Sequence, residues 1–258
     1  MADLTSFKDL DKVMAGMRAG GRKADELRPV TITMDYIPSA LGSVLIECGS
    51  TRVICVASIE DRVPKWMYDS GVKGGWVTAE YSLLPYAGGD RKMREATAGK
   101  LTGRTQEIQR LIGRALRSVV DLEALGERTA WIDCDVIEAD GGTRTASVTG
   151  GYLALHMMLH RLAKRKTIRQ MPVARRVAAV SVGLVEGTAL LDLDYSEDSK
   201  AGVDFNVVMT DSGEFIEIQG TAEEKPFTAD QLGQMLDLAR KGCTSLFSQQ
   251  QQMLERLT

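Results

Sequence analysis

The chain has 258 residues, 44% hydrophobic and 26% charged, with a formal net charge of −3. This composition belongs to a folded globular protein and excludes a disordered chain, a bulk polycation and, with no apolar run near ~18 residues, a membrane-spanning helix. Residues 1–17 mix Asp, Lys and apolar side chains without a signal-peptide core, so a cytoplasmic protein is expected.

Residues 28–60 read as strands: Val30 to Met34 alternates, and the β-rich runs Ser43 to Glu47 and Arg52 to Ser58 flank a hairpin turn at Cys48-Gly49-Ser50-Thr51. Residues 61–75, with Pro64, Gly71, Gly74 and Gly75, read as loop, and 76–84 as a further strand. A basic, glycine-containing loop follows over 86–100. Residues 101–125 predict one helix, since Ile108, Leu111, Ile112, Ala115, Leu116, Val119 and Val120 recur at helical spacing, with Thr102 as N-cap and Gly126 as C-cap. This places Arg104 in the first turn and Arg110, Arg114 and Arg117 on one side, where they suit RNA or a subunit contact.

The second half repeats the pattern. A strand over 131–137, a glycine turn and a helix over 146–162 precede strands near 177–184, 189–194, 203–209 and 214–219 and a final helix near 228–255. Two similar lobes, about 28–126 and 127–255, are expected to form one α+β unit.

The turn itself is Ala139-Asp140-Gly141-Gly142-Thr143-Arg144-Thr145. The free N–H groups and dipole at a helix start favour an anion, two glycines let the backbone approach it, and an arginine fork fits phosphate oxygens. The same residues also suit an ordinary strand–helix turn with a solvated arginine. The spacing matches neither a Walker loop nor a dinucleotide fingerprint. Asp192 and Asp194 are expected on one strand face, and Asp198 and Asp204 flank a short turn ahead of an apolar strand. Such carboxylates hold a divalent cation, deliver a proton to a leaving oxygen, or simply face solvent.

Local charge is uneven. Eight basic residues (Arg91, Lys92, Arg94, Lys100, Arg104, Arg110, Arg114, Arg117) face three acids between Asp90 and Arg117, which fits a face that meets a polyanion. The basic run from Arg161 to Arg176 reads as a solvated or subunit-contact face. Cys48, Cys55, Cys134 and Cys243 are scattered without a metal-type spacing and read as reduced core thiols. His156 and His160, a turn apart without a third ligand nearby, read as structural.

Several segments resemble the ribonuclease PH family: Glu60-Asp61-Arg62-Val63-Pro64, Trp76-Val77-Thr78-Ala79-Glu80-Tyr81-Ser82, Gly103-Arg104-Thr105-Gln106-Glu107, Asp133-Cys134-Asp135-Val136 with the glycine turn, Asp204-Phe205-Asn206-Val207-Val208-Met209, and Glu217-Ile218-Gln219-Gly220-Thr221. The resemblance runs from about Gly21-Arg22 to the final helix. It implies a duplicated βαβα unit (ribosomal protein S5 domain 2-like) in a single compact domain spanning 18–258. It implies a phosphate-dependent 3′→5′ exoribonuclease of the tRNA nucleotidyltransferase type. Such an enzyme trims tRNA precursors and rRNA reversibly, releases nucleoside 5′-diphosphates, and assembles as a hexamer of three dimers. Matched residue by residue, Arg104, Gly142, Thr143 and Arg144 fall on the phosphate site. Asp198 and Asp204 fall on the catalytic carboxylates that hold Mg²⁺ or Mn²⁺, and Arg91 and Arg94 on the tRNA-contacting loop. Asp204 is assigned as general acid.

The chain departs from the family at Tyr86, where arginine is common, at Lys200-Ala201-Gly202, in a longer 65–75 loop and in an N-terminal extension over 1–17. The competing readings are a catalytically silent RNA-binding subunit of an exosome-like ring, set against the intact arginine and aspartate pairs, and a metal-dependent hydrolase, which needs a denser carboxylate cluster.

Overall fold

The computed structural model describes Arg18, residues 21–223 and residues 225–257. The extension expected over 1–17 lies outside the described residues. Two sheets carry the fold. The first has five strands in the order β1-β2-β3-β5-β4, with β1 at Val30–Met34, β2 at Gly42–Cys48, β3 at Thr51–Glu60, β4 at Trp76–Leu83 and β5 at Thr129–Glu138. All neighbours are antiparallel except β4 and β5, which run parallel through the helical crossover between them. The second sheet is antiparallel, in the order β7-β6-β8-β9, with β6 at Val177–Val185, β7 at Thr188–Leu191, β8 at Val203–Thr210 and β9 at Phe215–Ala222.

Helices fill the space between and behind the sheets. They are α1 (Lys65–Ser70), α2 (Glu95–Ala98), α3 (Gly103–Arg117), α4 (Leu122–Leu125), α5 (Thr143–Lys164), α6 (Tyr195–Asp198) and α7 (Ala229–Leu254). Helix α5 is the central element: 16 of its 22 residues are buried, because it lies on β2 and β3 with one side and on β6 with another. A helix covered on several sides is apolar nearly all round and shows little amphipathic bias. Helix α7 closes the outer face of the second sheet over β6 and β7, where Met235, Ala239, Cys243 and Leu246 join the core.

Four local expectations are corrected. The 61–75 segment contains a helix, α1, which ends at Gly71 in the left-handed region (φ 69°). The 101–125 helix is two: α3 stops at Arg117, Val120 bridges to Val173, and Asp121 accepts from the N–H groups of Glu123 and Ala124 to start α4, which Gly126 ends. Helix α5 begins at Thr143, three residues earlier than its apolar pattern suggests, so Thr143 and Arg144 are its first turn. Asp192 and Asp194 do not share a strand face: β7 ends at Leu191, Asp192 has φ 55°, and Asp194 caps α6 in a capping box with Glu197.

The lobe boundary also moves. Strand β5, assigned to the second lobe by sequence order, pairs with β3 and β4 in the first sheet. The first lobe therefore extends through α5, and the boundary drawn at 126/127 falls inside one sheet. The four cysteines are free; Cys55, Cys134 and Cys243 lie in the core as expected, and Cys48 is half-buried. Among the described residues no helix is long and apolar enough to cross a membrane.

Candidate active site

The site forms where the start of α5, the start of α3 and the mouth of β8 converge. Gly142, the N-cap of α5, sits at φ 65°, a conformation that glycine adopts without steric cost. The turn behind it is tied down. Asp140 N–H donates to Thr51 Oγ1 (2.9 Å), and the Thr51 hydroxyl donates to the Gly141 carbonyl (2.7 Å). In the first turn of α5 the Thr143 hydroxyl meets the buried Tyr81 hydroxyl of β4 at 2.8 Å. Arg144 donates to Gln219 Oε1 of β9 (2.9 Å) and lies 3.5 Å from Glu107 Oε2 of α3, while Gln219 Nε2 donates to Glu107 (3.0 Å).

Arg104 stands in the first turn of α3. That turn is fixed by the Thr102 cap on Thr105 N–H (3.2 Å) and by Glu95, which accepts from the hydroxyls of Thr102 (2.8 Å) and Thr105 (2.7 Å). The Arg104 guanidinium makes no hydrogen bond or ion pair with any described residue. It acts electrostatically on Asp198 and Asp204 instead. The two arginines and the α5 N-terminus therefore present positive charge to one space.

Asp198 ends α6 and Asp204 is the second residue of β8. Burial pushes the Asp204 carboxyl up to about 6, and the Asp198 charge adds to this against the lowering influence of Arg144 and Arg104. Burial raises Asp198 as well, against the same two arginines. Asp204 Oδ1 is buried without a hydrogen-bond partner. An orphaned carboxylate oxygen beside a second carboxylate suits Mg²⁺, which takes one or two protein carboxylates and fills its other positions with water and substrate oxygens. Among the described residues no group of three His, Cys, Asp or Glu could form an all-protein cage.

These residues line one cleft of about 340 Å³: Arg104, Gly142, Thr143, Arg144, Asp198 and Asp204 all contribute. Lys92, Ser181, Tyr195 and Asn206 line it too; sequence reasoning placed Lys92 in the basic run that meets a polyanion and gave the other three no role. Asn206 had a legible signal, being two residues beyond Asp204 on the same strand face. Ser181 had none, because it reaches the cleft only through its pairing with Asn206 across β6 and β8. Arg91 and Arg94 are exposed on the loop that carries Lys92 and do not line the cleft. Arg114 and Arg117 are engaged within the chain: Arg114 pairs with Glu217 (2.7 Å), and Arg117 lies 4.3 Å over the Trp76 ring. His156 contacts the Tyr152 hydroxyl (3.3 Å) on the central helix, in keeping with a structural role.

A family model described as "3′ exoribonuclease family, domain 1" matches residues 26–159, and one described as "domain 2" of that family matches residues 175–242. The chain is 58% identical over 238 residues to the ribonuclease PH of Moorella thermoacetica, covering 92% of this chain and 94% of that one. It is 56% identical over 239 residues to the ribonuclease PH of Bacillus subtilis, covering 92% and 97%. Among solved structures, the Archaeoglobus fulgidus exosome with RNA bound to the active site superposes with a TM-score of 0.77 at 21% identity, covering 93% of this chain and 95% of that one, a likeness of fold.

Proposed function

The chain belongs to the 3′ exoribonuclease family, and from that premise we propose how its cleft performs phosphate-dependent 3′→5′ exoribonuclease chemistry. The observation that carries the reading is the convergence of Arg104, Arg144, the α5 N-terminus and the Asp198–Asp204 pair on one cleft of about 340 Å³.

Phosphorolysis brings two anions together. At ~4 Å and an effective dielectric of ~20 their repulsion is about 4 kcal/mol, so fixed positive charge is required. Arg104, Arg144 and the N–H groups around Gly142 and Thr143 hold inorganic phosphate against the terminal phosphodiester. The phosphate oxygen forms a bond to phosphorus, and the bond to the 3′-oxygen of the penultimate nucleotide breaks. Asp204 is the group we assign to give that oxygen its proton. The products are a nucleoside 5′-diphosphate and RNA shorter by one residue, and the reverse reaction uses the same groups. Asp198 and Asp204 are the residues that would hold Mg²⁺ or Mn²⁺, which when bound neutralises phosphoryl oxygens.

The substrate we propose is the 3′ end of tRNA precursors, and rRNA by extension, in the cytoplasm. Arg91 and Arg94 grip the RNA body, and Tyr86, 69% exposed on the same loop, stacks on a base. We also propose a hexamer of three dimers. The exposed Trp66 (51%) and Tyr68 (82%) of α1 supply apolar area suited to a contact between copies. Light scattering that finds only monomer in an active preparation contradicts that assembly.

The test is a 3′-labelled tRNA precursor incubated with Mg²⁺, with and without phosphate. Nucleoside diphosphate released only with phosphate supports the reading. Monophosphate released without phosphate means hydrolysis, and tight binding without product means a silent ring subunit.

A further inference from the structure

Arg28 lies on the segment leading into β1, is 6% exposed, and touches two parts of the site at once. Toward the carboxylate side, its N–H and Nε donate to Asp192 Oδ2 (2.7 and 3.0 Å) and its Nη2 to Asp192 Oδ1 (2.6 Å). Toward the phosphate side, its Nη1 donates to the Asp140 carbonyl, and its Nη2 reaches the Gly141 carbonyl at 3.5 Å. The guanidinium also lies directly under Gly142: a Cβ at that residue would come within 3.0 Å of Arg28 Nη2 and 3.8 Å of Asp192 Oδ1.

Asp192 opens the segment that leads through Leu193 to Asp198. It holds φ 55°, a position that aspartate occupies only when its surroundings impose it. Its N–H donates to the Ser181 carbonyl (2.7 Å), and its carbonyl accepts from Arg18 (2.8 Å) and Arg22 (2.9 Å). Arg18 and Arg22 also reach Glu197 at the far end of the segment (2.6 and 3.3 Å). Of the three arginines, Arg28 alone bonds the glycine turn. The turn and the segment otherwise meet through Tyr195 N–H on Asp140 Oδ1 (3.2 Å) and a backbone approach so close that a Cβ on Gly141 would lie 2.5 Å from the Leu193 carbonyl.

We propose that Arg28 and Asp192 are a positioning pair for phosphorolysis, fixing the phosphate-holding turn against the segment that carries Asp198. The proposal rests on the reading of the cleft as a phosphate site. A buried ion pair adds little net stability, because desolvation offsets its attraction, whereas a bidentate fork fixes geometry well. Neither residue reaches the cleft, so each acts through the backbone of its neighbours. A misplacement of ~1 Å in a reacting group costs up to about 100-fold in rate.

The test uses the full chain with Arg28→Lys and Asp192→Asn. Lysine keeps the charge and loses the fork, and asparagine keeps the shape and tolerates positive φ. Steady-state kinetics with a labelled RNA are measured while phosphate and RNA are varied separately. The expected result for both variants is a rise of about tenfold in KM for phosphate with a fall in kcat, and a KM for RNA within about twofold of the parent. An unchanged KM for phosphate overturns the proposal, as does a parallel rise in both constants. Two variants that fail to fold assign the pair to stability and overturn it too. A parent enzyme that releases product without phosphate instead overturns the reading of the cleft, whatever the variants do.

Discussion

Arg144 in the first turn of α5 donates a 2.9 Å hydrogen bond to Gln219 on β9, so an arginine of the first lobe is aimed by the edge strand of the second. Gln219 is itself held by Glu107 of α3 at 3.0 Å. The arginine is thus oriented before phosphate arrives. Gln219→Ala removes the carbonyl and leaves Glu107 as the nearby acceptor. One such bond contributes about 1 kcal/mol, so KM for phosphate should rise about fivefold with folding intact. Steady-state kinetics against phosphate check this, and an unchanged constant removes Gln219 from the site.

Arg104 makes no hydrogen bond or ion pair with a described residue, so its replacement costs the fold little. Arg104→Ala should raise the phosphate requirement by about 100-fold and leave RNA affinity within about threefold, since removing one preorganised donor costs about 3 kcal/mol. Filter binding of RNA beside phosphate-dependent product release separates the two constants.

Asp204→Asn keeps the shape of the side chain and removes the transferable proton. Activity should fall by about 100- to 10,000-fold, the range for a positioned general acid. RNA binding measured on the same preparation should persist; its loss would make Asp204 a binding group instead.

Glycines on two helices should respond oppositely to alanine. A Cβ at Gly150 of α5 meets Ile46 Cγ2 at 2.8 Å and Cys55 Sγ at 2.9 Å, and both neighbours are fully buried. Overpacking of about 1–3 kcal/mol there exceeds the gain of about 1 kcal/mol in helix propensity. Gly233 of α7 faces open space, so only the propensity gain remains. Gly150→Ala should lower Tm by several degrees and Gly233→Ala should raise it, as read by calorimetry.

His156 is pushed down from 6.5 to about 4 by burial, with the nearby His160 adding to the effect. Between those values the unfolded chain binds a proton that the folded chain does not. Stability is therefore unaffected above pH 6.5 and declines as pH falls toward 4, by at most about 3 kcal/mol. Denaturant midpoints at pH 7 and pH 5 should differ less in His156→Gln than in the parent.

Sequence alone determined what is local. The turn Asp140-Gly141-Gly142, the Thr102 cap and the alternation in β1 each act within a few residues, so β1 forms where expected and α3 and α5 start at these signals, although α3 stops at Arg117 and α5 starts at Thr143, ahead of its apolar pattern. The spacing of the phosphate corner and of the two carboxylates also suited an ordinary turn and a solvent-facing acidic segment, and the resemblance to a known family is what singled out Arg104, Arg144, Asp198 and Asp204, which line one cleft. Tertiary structure decided the rest. Strand β5 joined the first sheet because β3 and β4 offered it partners on both edges, which chain order does not encode. Ser181 entered the cleft through the register of β6 on β8. Arg28 sits among residues that look like a simple lead into a strand, and its buried partner lies 164 residues away. A chain records its short-range preferences residue by residue, whereas the pairing of distant segments is settled only when the lobes close and their polar groups must find one another.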